Sequence, residues 1–362
     1  MCKSTLSNKA IALLKELIKV PSVSREESAV ADLLEQYMAT ESGLPVGRLG
    51  NNCWLVAPGY CASRPTLLLN AHCDTVKASA SWTRNPFLPT EEGNRIYGLG
   101  SNDDGASLVS LLHVFLALQH TEQQYNLIFL ASAEEEVSGK NGIEAVLPHL
   151  PKIDVAWVGE PTGMRVAIAE KGLVVLDGVA HGKAGHAARN EGVNALYIAL
   201  EAIDKLRNYT FARQSETLGP IKVTVTNIQA GQGQHNVVPD TCTFVVDVRT
   251  TDAYTNQEVV QQLQQLVGPS VELTPRSTRL QPSGIEASHP LLKRIAACCP
   301  SAEYFGSPTL SDQALMPFAS IKMGPGESSR SHTADEYIET DEIRSAIETY
   351  LHVLDGLDLT NE

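Results

Sequence analysis

The chain of 362 residues is poor in basic side chains and has no long uninterrupted hydrophobic run. It carries 28 lysines and arginines against 42 aspartates and glutamates, for a net charge of −14. A nucleic-acid backbone binds basic surfaces, so we expect no nucleic-acid partner. Lysines interrupt the apolar residues of the N-terminal segment, and no other segment is long enough to cross a bilayer. We therefore expect neither a secretory leader nor a membrane-spanning helix.

Cysteine pairs at metal-binding or redox spacing are also missing. The seven cysteines are an odd number and include no Cys-x-x-Cys pair. In a chain without a predicted leader, this favours reduced thiols and a cytoplasmic location over a disulfide framework. No internal repeat or low-complexity segment is evident either. The remaining composition, 43% hydrophobic, is that of a globular protein long enough for two domains.

Helical and strand patterns alternate in the first part of the chain. The spacing of apolar residues predicts helices near residues 7–20 and 106–120, and strands near residues 66–71, 126–131 and 154–158. Such alternation is typical of an α/β domain with a mainly parallel sheet and helices on both faces.

The pattern changes after the third of these strands. Residues 221–228, "IKVTVTNI", alternate apolar and polar side chains, as a sheet with one solvent-exposed face requires. The surrounding segments predict β-α-β-β-α-β order, a ferredoxin-like α+β unit. Because helix–strand alternation resumes near residue 289, we interpret this unit as an insertion. The predicted domains are residues 1–168 and 278–362 for the α/β part and 169–277 for the insert.

The stretch "LLLNAHCDTV" ends a buried strand on a histidine. Alternate side chains of a strand share a face, so His72 and Asp74 are expected to point the same way. A carboxylate in that position can accept the imidazole N–H, which is how proteins orient a metal-binding histidine.

Further carboxylates and a second histidine follow other strands or lie in glycine-rich loops. They are Asp103 and Asp104 in "YGLGSNDDGASL", Glu134, Glu135 and Glu136 after one strand, Glu160 after another, and His332 in "GPGESSRSHTADEY". Imidazole and carboxylate ligands suit zinc, cobalt or manganese. Five ligands exceed one tetrahedral zinc ion. A two-metal site bridged by an aspartate and a water accounts for them, with a spare glutamate as general base.

The order H-x-D, D-D, E-E, E-P-T and a late histidine resembles the acetylornithine deacetylase, succinyl-diaminopimelate desuccinylase and carboxypeptidase family of dinuclear metallohydrolases, over nearly the whole chain. The resemblance implies two divalent ions per chain, most simply zinc, with cobalt or manganese as alternatives. It implies that His72 and Glu160 hold one ion and Glu136 and His332 the other, that Asp103 bridges them, that Asp74 orients His72, and that Glu135 is the catalytic base.

Two alternatives remain open within this resemblance. The run of three glutamates also permits a shifted register, with Glu134 as base and Glu135 as ligand. The usual Lys-Gly after the bridging aspartate is replaced here by Asp104-Gly105-Ala106. This departure leaves open whether Asp103 or Asp104 is the bridge.

The resemblance also implies substrate-binding residues outside the metal ligands. His186 in "HGKAGHAA" and Asn236 match substrate-binding segments of the family, and Arg249 ends an apolar strand of the insert. A guanidinium suits the carboxylate of an amino-acid substrate, with a structural salt bridge as the alternative. Gly324 and Gly326 are expected to present backbone N–H groups to the same carboxylate.

The segments "YGLGS", "GEPT" and "GPG…SHTADEYIE" look most like those of acetylornithine deacetylases. The expected reaction is metal-dependent removal of an acetyl or succinyl group from an N-acyl-L-amino acid, and the residues do not distinguish the two acyl groups. The first expectation is hydrolysis of N-acetyl-L-ornithine to L-ornithine and acetate, a step of arginine biosynthesis. The alternatives are a succinyl-diaminopimelate desuccinylase, a dipeptidase or carboxypeptidase, and a binding protein that has lost its chemistry. The family resemblance further implies a homodimer formed through the insert, with His186 entering the partner's active site. A histidine that only caps a turn is the competing interpretation of His186.

Overall fold

The computed structural model describes residues 3–231 and 234–360, and the chain divides into two compact units. Unit 1 comprises Met1–Ile168, Gly284–Phe305 and Ser311–Glu362, and unit 2 comprises Ala169–Ser283 and Gly306–Leu310. Unit 2 thus includes residues 278–283 and 306–310, which the predicted limits placed in the α/β part.

Eight α-helices and eighteen strands are formed by the described residues. The helices are α1 (Lys3–Ile18), α2 (Ser28–Ser42), α3 (Ala106–Leu118), α4 (Ile143–Val146), α5 (Ala195–Asn208), α6 (Asn256–Val267), α7 (Pro290–Cys298) and α8 (Thr340–Leu354). The strands are β1 (Gly47–Leu49), β2 (Asn52–Val56), β3 (Thr66–His72), β4 (Thr90–Glu92), β5 (Arg95–Tyr97), β6 (Asn126–Ser132), β7 (Val155–Val158), β8 (Val166–Glu170), β9 (Gly172–His181), β10 (Gly185–His186), β11 (Lys222–Ala230), β12 (Val237–Val238), β13 (Thr241–Thr250), β14 (Val271–Pro275), β15 (Ser283–Gly284), β16 (Tyr304–Ser307), β17 (Ala319–Lys322) and β18 (Tyr337–Glu339).

The main sheet is mixed, and its four central strands are parallel. The strand order is β1-β2-β6-β3-β7-β17-β8-β15, and β16 also pairs with β8. Strand β3 runs parallel to both β6 and β7, and β17 runs parallel to β7. Strands β2 and β8 are antiparallel to their central neighbours. The carboxyl ends of the four central strands therefore meet at one edge of the sheet.

Successive residues of the central strands enter two different cores, one on each face. On β3, Leu67 and Leu69 pack into the larger core, to which α1, α3 and α8 contribute. Leu68 packs instead with Ile143 and Val146 of α4. Strands covered on both faces need apolar side chains at consecutive positions, which explains the continuous apolar runs of the sequence. The predicted α/β class is confirmed.

Unit 2 contains a four-stranded antiparallel sheet in the order β11-β13-β9-β14. Helices α5 and α6 share a hydrophobic core with it. In chain order the elements are β9, α5, β11, β13, α6 and β14, the β-α-β-β-α-β arrangement expected for the insert. A separate two-stranded ladder joins β10 to β12.

Among the described residues, no helix combines the length and the apolar character that crossing a membrane requires.

Candidate active site

Three adjacent parallel strands deliver polar side chains to the carboxyl edge of the main sheet. His72 is the last residue of β3, Glu135 and Glu136 follow β6, and Glu160 follows β7. Since β6, β3 and β7 are neighbours, their ends place these side chains around one point of unit 1. Open α/β sheets bind their ligands at this edge.

His72 is almost fully buried, with both ring nitrogens facing acceptors. Its Nδ1 lies 2.9 Å from the backbone oxygen of Asp74 and 3.5 Å from the carboxylate Oδ1 of the same residue. Its Nε2 lies 3.2 Å from Oδ1 of Asp103 and 3.9 Å from Oε2 of Glu135. Asp74 therefore contacts the imidazole mainly through its backbone carbonyl. The predicted contact through the carboxylate is the longer of the two.

The carboxylate of Asp74 instead holds the turn after β6. It accepts the N–H of Glu135 at 3.0 Å, the N–H of Glu136 at 3.2 Å and the hydroxyl of Ser24 at 2.6 Å. Burial alone would raise the pKa of Asp74, but His72 and the Ser24 hydrogen bond outweigh it and lower the pKa. One buried carboxylate thus flanks His72 and positions two glutamates.

The three consecutive glutamates have different surroundings. Glu134, in the left-handed region with φ 56°, accepts hydrogen bonds from the side chain of Asn141 at 2.8 Å and from its N–H at 3.4 Å. Glu135 faces His72, and the carboxylate oxygens of Glu136 lie 2.9 and 3.1 Å from Nε2 of His332. This geometry places Glu135 and Glu136 in the histidine and carboxylate cluster and Glu134 in its own loop.

Asp103 lies between the two histidines. Its Oδ1 is 3.2 Å from His72 and its Oδ2 is 3.7 Å from His332. Asp104 is buried, but it belongs to neither of the metal-ligand groups found among the described residues. The geometry therefore favours Asp103 over Asp104 as the aspartate of the site.

Two overlapping triplets of side chains have the geometry of a metal site. Ligand atoms of His72, Asp103 and Glu136 all lie within 4.8 Å of one another, as do those of His72, Glu135 and Glu160. His332 adds a second imidazole beside Glu136. Carboxylates at this spacing repel one another unless a cation lies among them, so this donor set fits divalent metal ions.

The protonation of the cluster reflects burial and its two histidines. Burial would lower the pKa of His72, but hydrogen bonds to Asp103 and Asp74 raise it well above its usual value. Burial raises the pKa of Glu135 well above its usual range; His72 opposes this rise, while the charge of Glu160 adds to it. The hydrogen bond to Glu136 raises the pKa of His332 to about 9.

Two acidic residues near the site were missed by the sequence analysis. Glu336 accepts backbone N–H groups of residues 100–105, the segment called the Asp103 loop below. Burial raises the pKa of Glu336 to about 8. Asp312 accepts hydrogen bonds from Asn70 at 3.0 Å and from Ser132 at 2.5 Å, and burial raises its pKa to about 6. Asn70 lies on β3 two residues before His72, and a polar residue at that place in an apolar strand is a pattern that the sequence shows. Asp312 lies 242 residues from Asn70, and no sequence pattern connects the two residues.

Gly324 has a hydrogen-bond partner within the protein. Its N–H donates to the hydroxyl of Thr162 at 3.1 Å, so this group is already used within the protein. Gly326 is buried, with φ 85°, and its carbonyl accepts the N–H of Gly163 at 2.6 Å. Donation from Gly324 and Gly326 to a substrate carboxylate remains a prediction, and for Gly324 it requires the N–H to be shared with, or released from, the Thr162 hydroxyl.

The remaining predicted site residues lie in unit 2. His186 pairs with Val237 in the β10–β12 ladder, and its Nδ1 accepts the N–H of Ala188 at 3.1 Å. Asn236, the residue before Val237, is exposed. Arg249 forms two hydrogen bonds with Asp247, at 2.9 and 3.1 Å. Because residues two apart on a strand share a face, this pair is the structural salt bridge that was the alternative prediction for Arg249.

Comparison with known proteins agrees with this fold. Residues 68–356 match peptidase family M20/M25/M40. A succinyl-diaminopimelate desuccinylase of Wolbachia pipientis is 26% identical over 276 residues, covering 71% of this chain and 67% of its own. A tripeptidase structure from Staphylococcus aureus superposes with a TM-score of 0.78 at 20% identity, covering 96% of this chain and 97% of that one. A Bacillus subtilis structure described as a dinuclear metal-binding M20 peptidase gives a TM-score of 0.74 at 15% identity, covering 99% and 100%. The chain belongs to the M20/M25/M40 peptidase family and is a metal-dependent amidohydrolase.

Proposed function

We propose that this chain hydrolyses the amide bond of an N-acyl amino acid, and that N-succinyl-L,L-diaminopimelate is the first substrate to test. The observation that carries the hydrolytic proposal is the pair of side-chain groups sharing His72, one with Asp103 and Glu136 and the other with Glu160 and Glu135. In this proposal Glu135 is the base of the second group and not a metal ligand. The desuccinylase relative supports the succinyl substrate. N-acetyl-L-ornithine, which the sequence motifs favoured, becomes the second candidate.

The proposed metal ligands are those brought together in unit 1. His72 and Glu160 would hold one ion, Glu136 and His332 the other, and Asp103 would lie between them. The 2.9 Å separation of His332 from Glu136 and the position of Asp103 between both histidines support this division. Two divalent ions, zinc being favoured over cobalt and manganese, would polarise the substrate carbonyl and lower the pKa of a bound water.

Glu135 is the proposed general base. Its side chain is 11% exposed, and the Asp74 carboxylate holds its backbone N–H at 3.0 Å. A raised pKa makes the carboxylate a stronger base toward water, and the carboxylic acid formed can then protonate the leaving amine. Burial of the Glu135 side chain is the main cause of that raised pKa, and the charge of Glu160 beside it adds to the rise. Asp74 keeps the base at the site through the backbone.

The homodimer is part of the same proposal. Five of the nine large hydrophobic side chains exposed among the described residues belong to unit 2, on or beside α5, β11 and β12: Val193, Tyr197, Leu200, Ile228 and Val237. Exposed apolar side chains concentrated on one part of a protein support an interaction surface there. We propose that a second copy of this chain covers them, and that His186 and Asn236 contribute to substrate binding in the dimer.

A substrate panel tests the proposed activity. The enzyme, loaded with zinc or cobalt, is assayed for free amine release from N-succinyl-L,L-diaminopimelate, N-acetyl-L-ornithine, N-succinyl-L-ornithine and unblocked dipeptides. We expect the first compound to have the highest kcat/KM. A higher value for an ornithine derivative would replace the desuccinylase proposal with the ornithine one. Hydrolysis of dipeptides alone would make the chain a peptidase.

A further inference from the structure

Glu336 lies four residues after His332 and directly before β18. Its side chain is buried, with the whole residue 2% exposed. Its Oε1 accepts the N–H groups of Asn102 at 2.8 Å and Asp103 at 2.9 Å, and its Oε2 accepts the N–H of Gly100 at 3.1 Å. Three backbone donors from one loop therefore converge on a single carboxylate.

Asn102 makes a second connection between the same two segments. Its side-chain amide donates to the carbonyl of Glu327 at 3.1 Å and to the hydroxyl of Ser331 at 3.3 Å. Its Oδ1 accepts the N–H of Glu327 at 2.9 Å. Several hydrogen bonds therefore join the Asp103 loop to residues 327–336, which we call the His332 loop. The two loops are more than 200 residues apart in sequence.

Asp335, the residue before Glu336, makes different contacts. Its carboxylate accepts the N–H groups of Thr83 and Arg84, both at 3.0 Å, and the hydroxyl of Thr83. These contacts attach the His332 loop to Thr83 and Arg84. Two adjacent carboxylates thus bind two different parts of unit 1, and of the two only Glu336 contacts the backbone of Asp103.

We propose that Glu336 is a positioning residue that sets the separation of Asp103 and His332 by binding the backbone of the Asp103 loop. The proposal rests on the proposed role of both residues as metal ligands. A buried carboxylate that loses its hydrogen-bond donors is costly, so the geometry with all three bonds formed is strongly preferred. Glu336 acts through Asp103 and touches no substrate.

The test measures zinc affinity by competition with a chromophoric chelator, in the wild type and in Glu336→Ala and Glu336→Gln. Changes in residues that orient metal ligands typically weaken metal binding by about 10- to 100-fold. We expect a loss in that range for Glu336→Ala. The glutamine variant keeps one acceptor oxygen for Asn102 and Asp103 but turns an amide group toward the Gly100 N–H, so its affinity should lie between the two. If the alanine variant does not fold, the glutamine variant decides.

The absorption spectrum of the cobalt-loaded protein gives a second measurement, since cobalt bands respond to ligand geometry. We expect the spectrum to change in both Glu336 variants. Asp335→Asn is the matched control, because it removes a neighbouring charge without touching the Asp103 loop, and we expect wild-type affinity and spectrum. Wild-type zinc affinity, within twofold, in the Glu336 variants would overturn the inference, as would an equal loss in Asp335→Asn.

Asp103→Ala and His332→Ala distinguish this inference from the proposed function. If both variants lose metal while the Glu336 variants do not, only the role of Glu336 is wrong. If neither variant loses metal, the proposed ligand set itself is wrong.

Discussion

The three consecutive glutamates after β6 allow one experiment to separate a base, a ligand and a structural residue. Each is changed to glutamine, which keeps the size of the side chain and removes its charge. For Glu135→Gln we expect kcat to fall by ~10² to 10⁴, the range for a lost general base, or about 3–5 kcal/mol of barrier. Both metal ions should remain bound, because the proposed ligands are intact.

Glu136→Gln should have the opposite signature. Its carboxylate oxygens lie 2.9 and 3.1 Å from His332, within the first ligand triplet. Loss of a direct ligand is expected to weaken metal binding beyond the ~10- to 100-fold typical of an outer contact. Activity should then recover in part when excess zinc is added, which Glu135→Gln should not do.

Glu134→Gln should affect stability alone. Its two oxygens accept from the side chain and the N–H of Asn141, and an amide group can replace only one of them. Loss of one hydrogen bond to a charged group costs about 1.5–3 kcal/mol. In a unit of this size, that lowers the melting temperature of the metal-free protein by roughly 3–12 °C.

The assays are metal content after dialysis, kcat at saturating substrate, and thermal unfolding of the metal-free protein. The reasoning is refuted if Glu134→Gln abolishes turnover with both metals bound while Glu135→Gln loses a metal. That result would establish the shifted register, with Glu134 as base and Glu135 as ligand.

Three further predictions concern the metals, the Asp103 loop and the dimer. Elemental analysis should find two metal ions per chain, and His72→Ala and His332→Ala should each lower the metal content and the rate. A variant with unchanged metal content would exclude the histidine it replaces as a ligand. Gly105→Ala should cost about 1–3 kcal/mol in denaturant unfolding, because an added Cβ would lie 2.4 Å from a backbone oxygen; an unchanged unfolding midpoint would contradict this. Chains carrying His186→Ala and chains carrying Glu135→Ala should be nearly inactive alone, yet recover about a quarter of wild-type activity after subunit exchange, since half the dimers are mixed and each has one complete site. No recovery after demonstrated exchange would mean that His186 does not serve a partner's site.

The sequence alone predicted most of the elements that position the site. Parallel strands covered on both faces need continuous apolar runs, and residues 66–71, 126–131 and 154–158 have them. Polar residues directly after such runs had to lie at one edge of the sheet, which is why His72 and Glu160 were identifiable. The roles given to them as ligands remain predictions.

Only the tertiary structure distinguished residues whose local patterns were equivalent. Glu134, Glu135 and Glu136 are identical in sequence, and the left-handed turn at Glu134 directs its side chain to Asn141. Likewise, the partner of Arg249 proved to be Asp247 on its own strand. Pattern predicts which side chains reach a region, but not which partner each finds there.

Local sequence determined the strands of the main sheet, the polar residues at their ends, and the change to alternating apolar and polar residues at the insert. Each of these features depends on neighbours within a few residues. The tertiary structure decided that Asp74 binds the Glu135 and Glu136 backbone, that Asp312 lies under Asn70, and that Glu336 holds the Asp103 loop. Each of these is a buried carboxylate bound to donors between 50 and 242 residues away. Such contacts form only where the folded chain excludes water, so no short stretch of sequence specifies them.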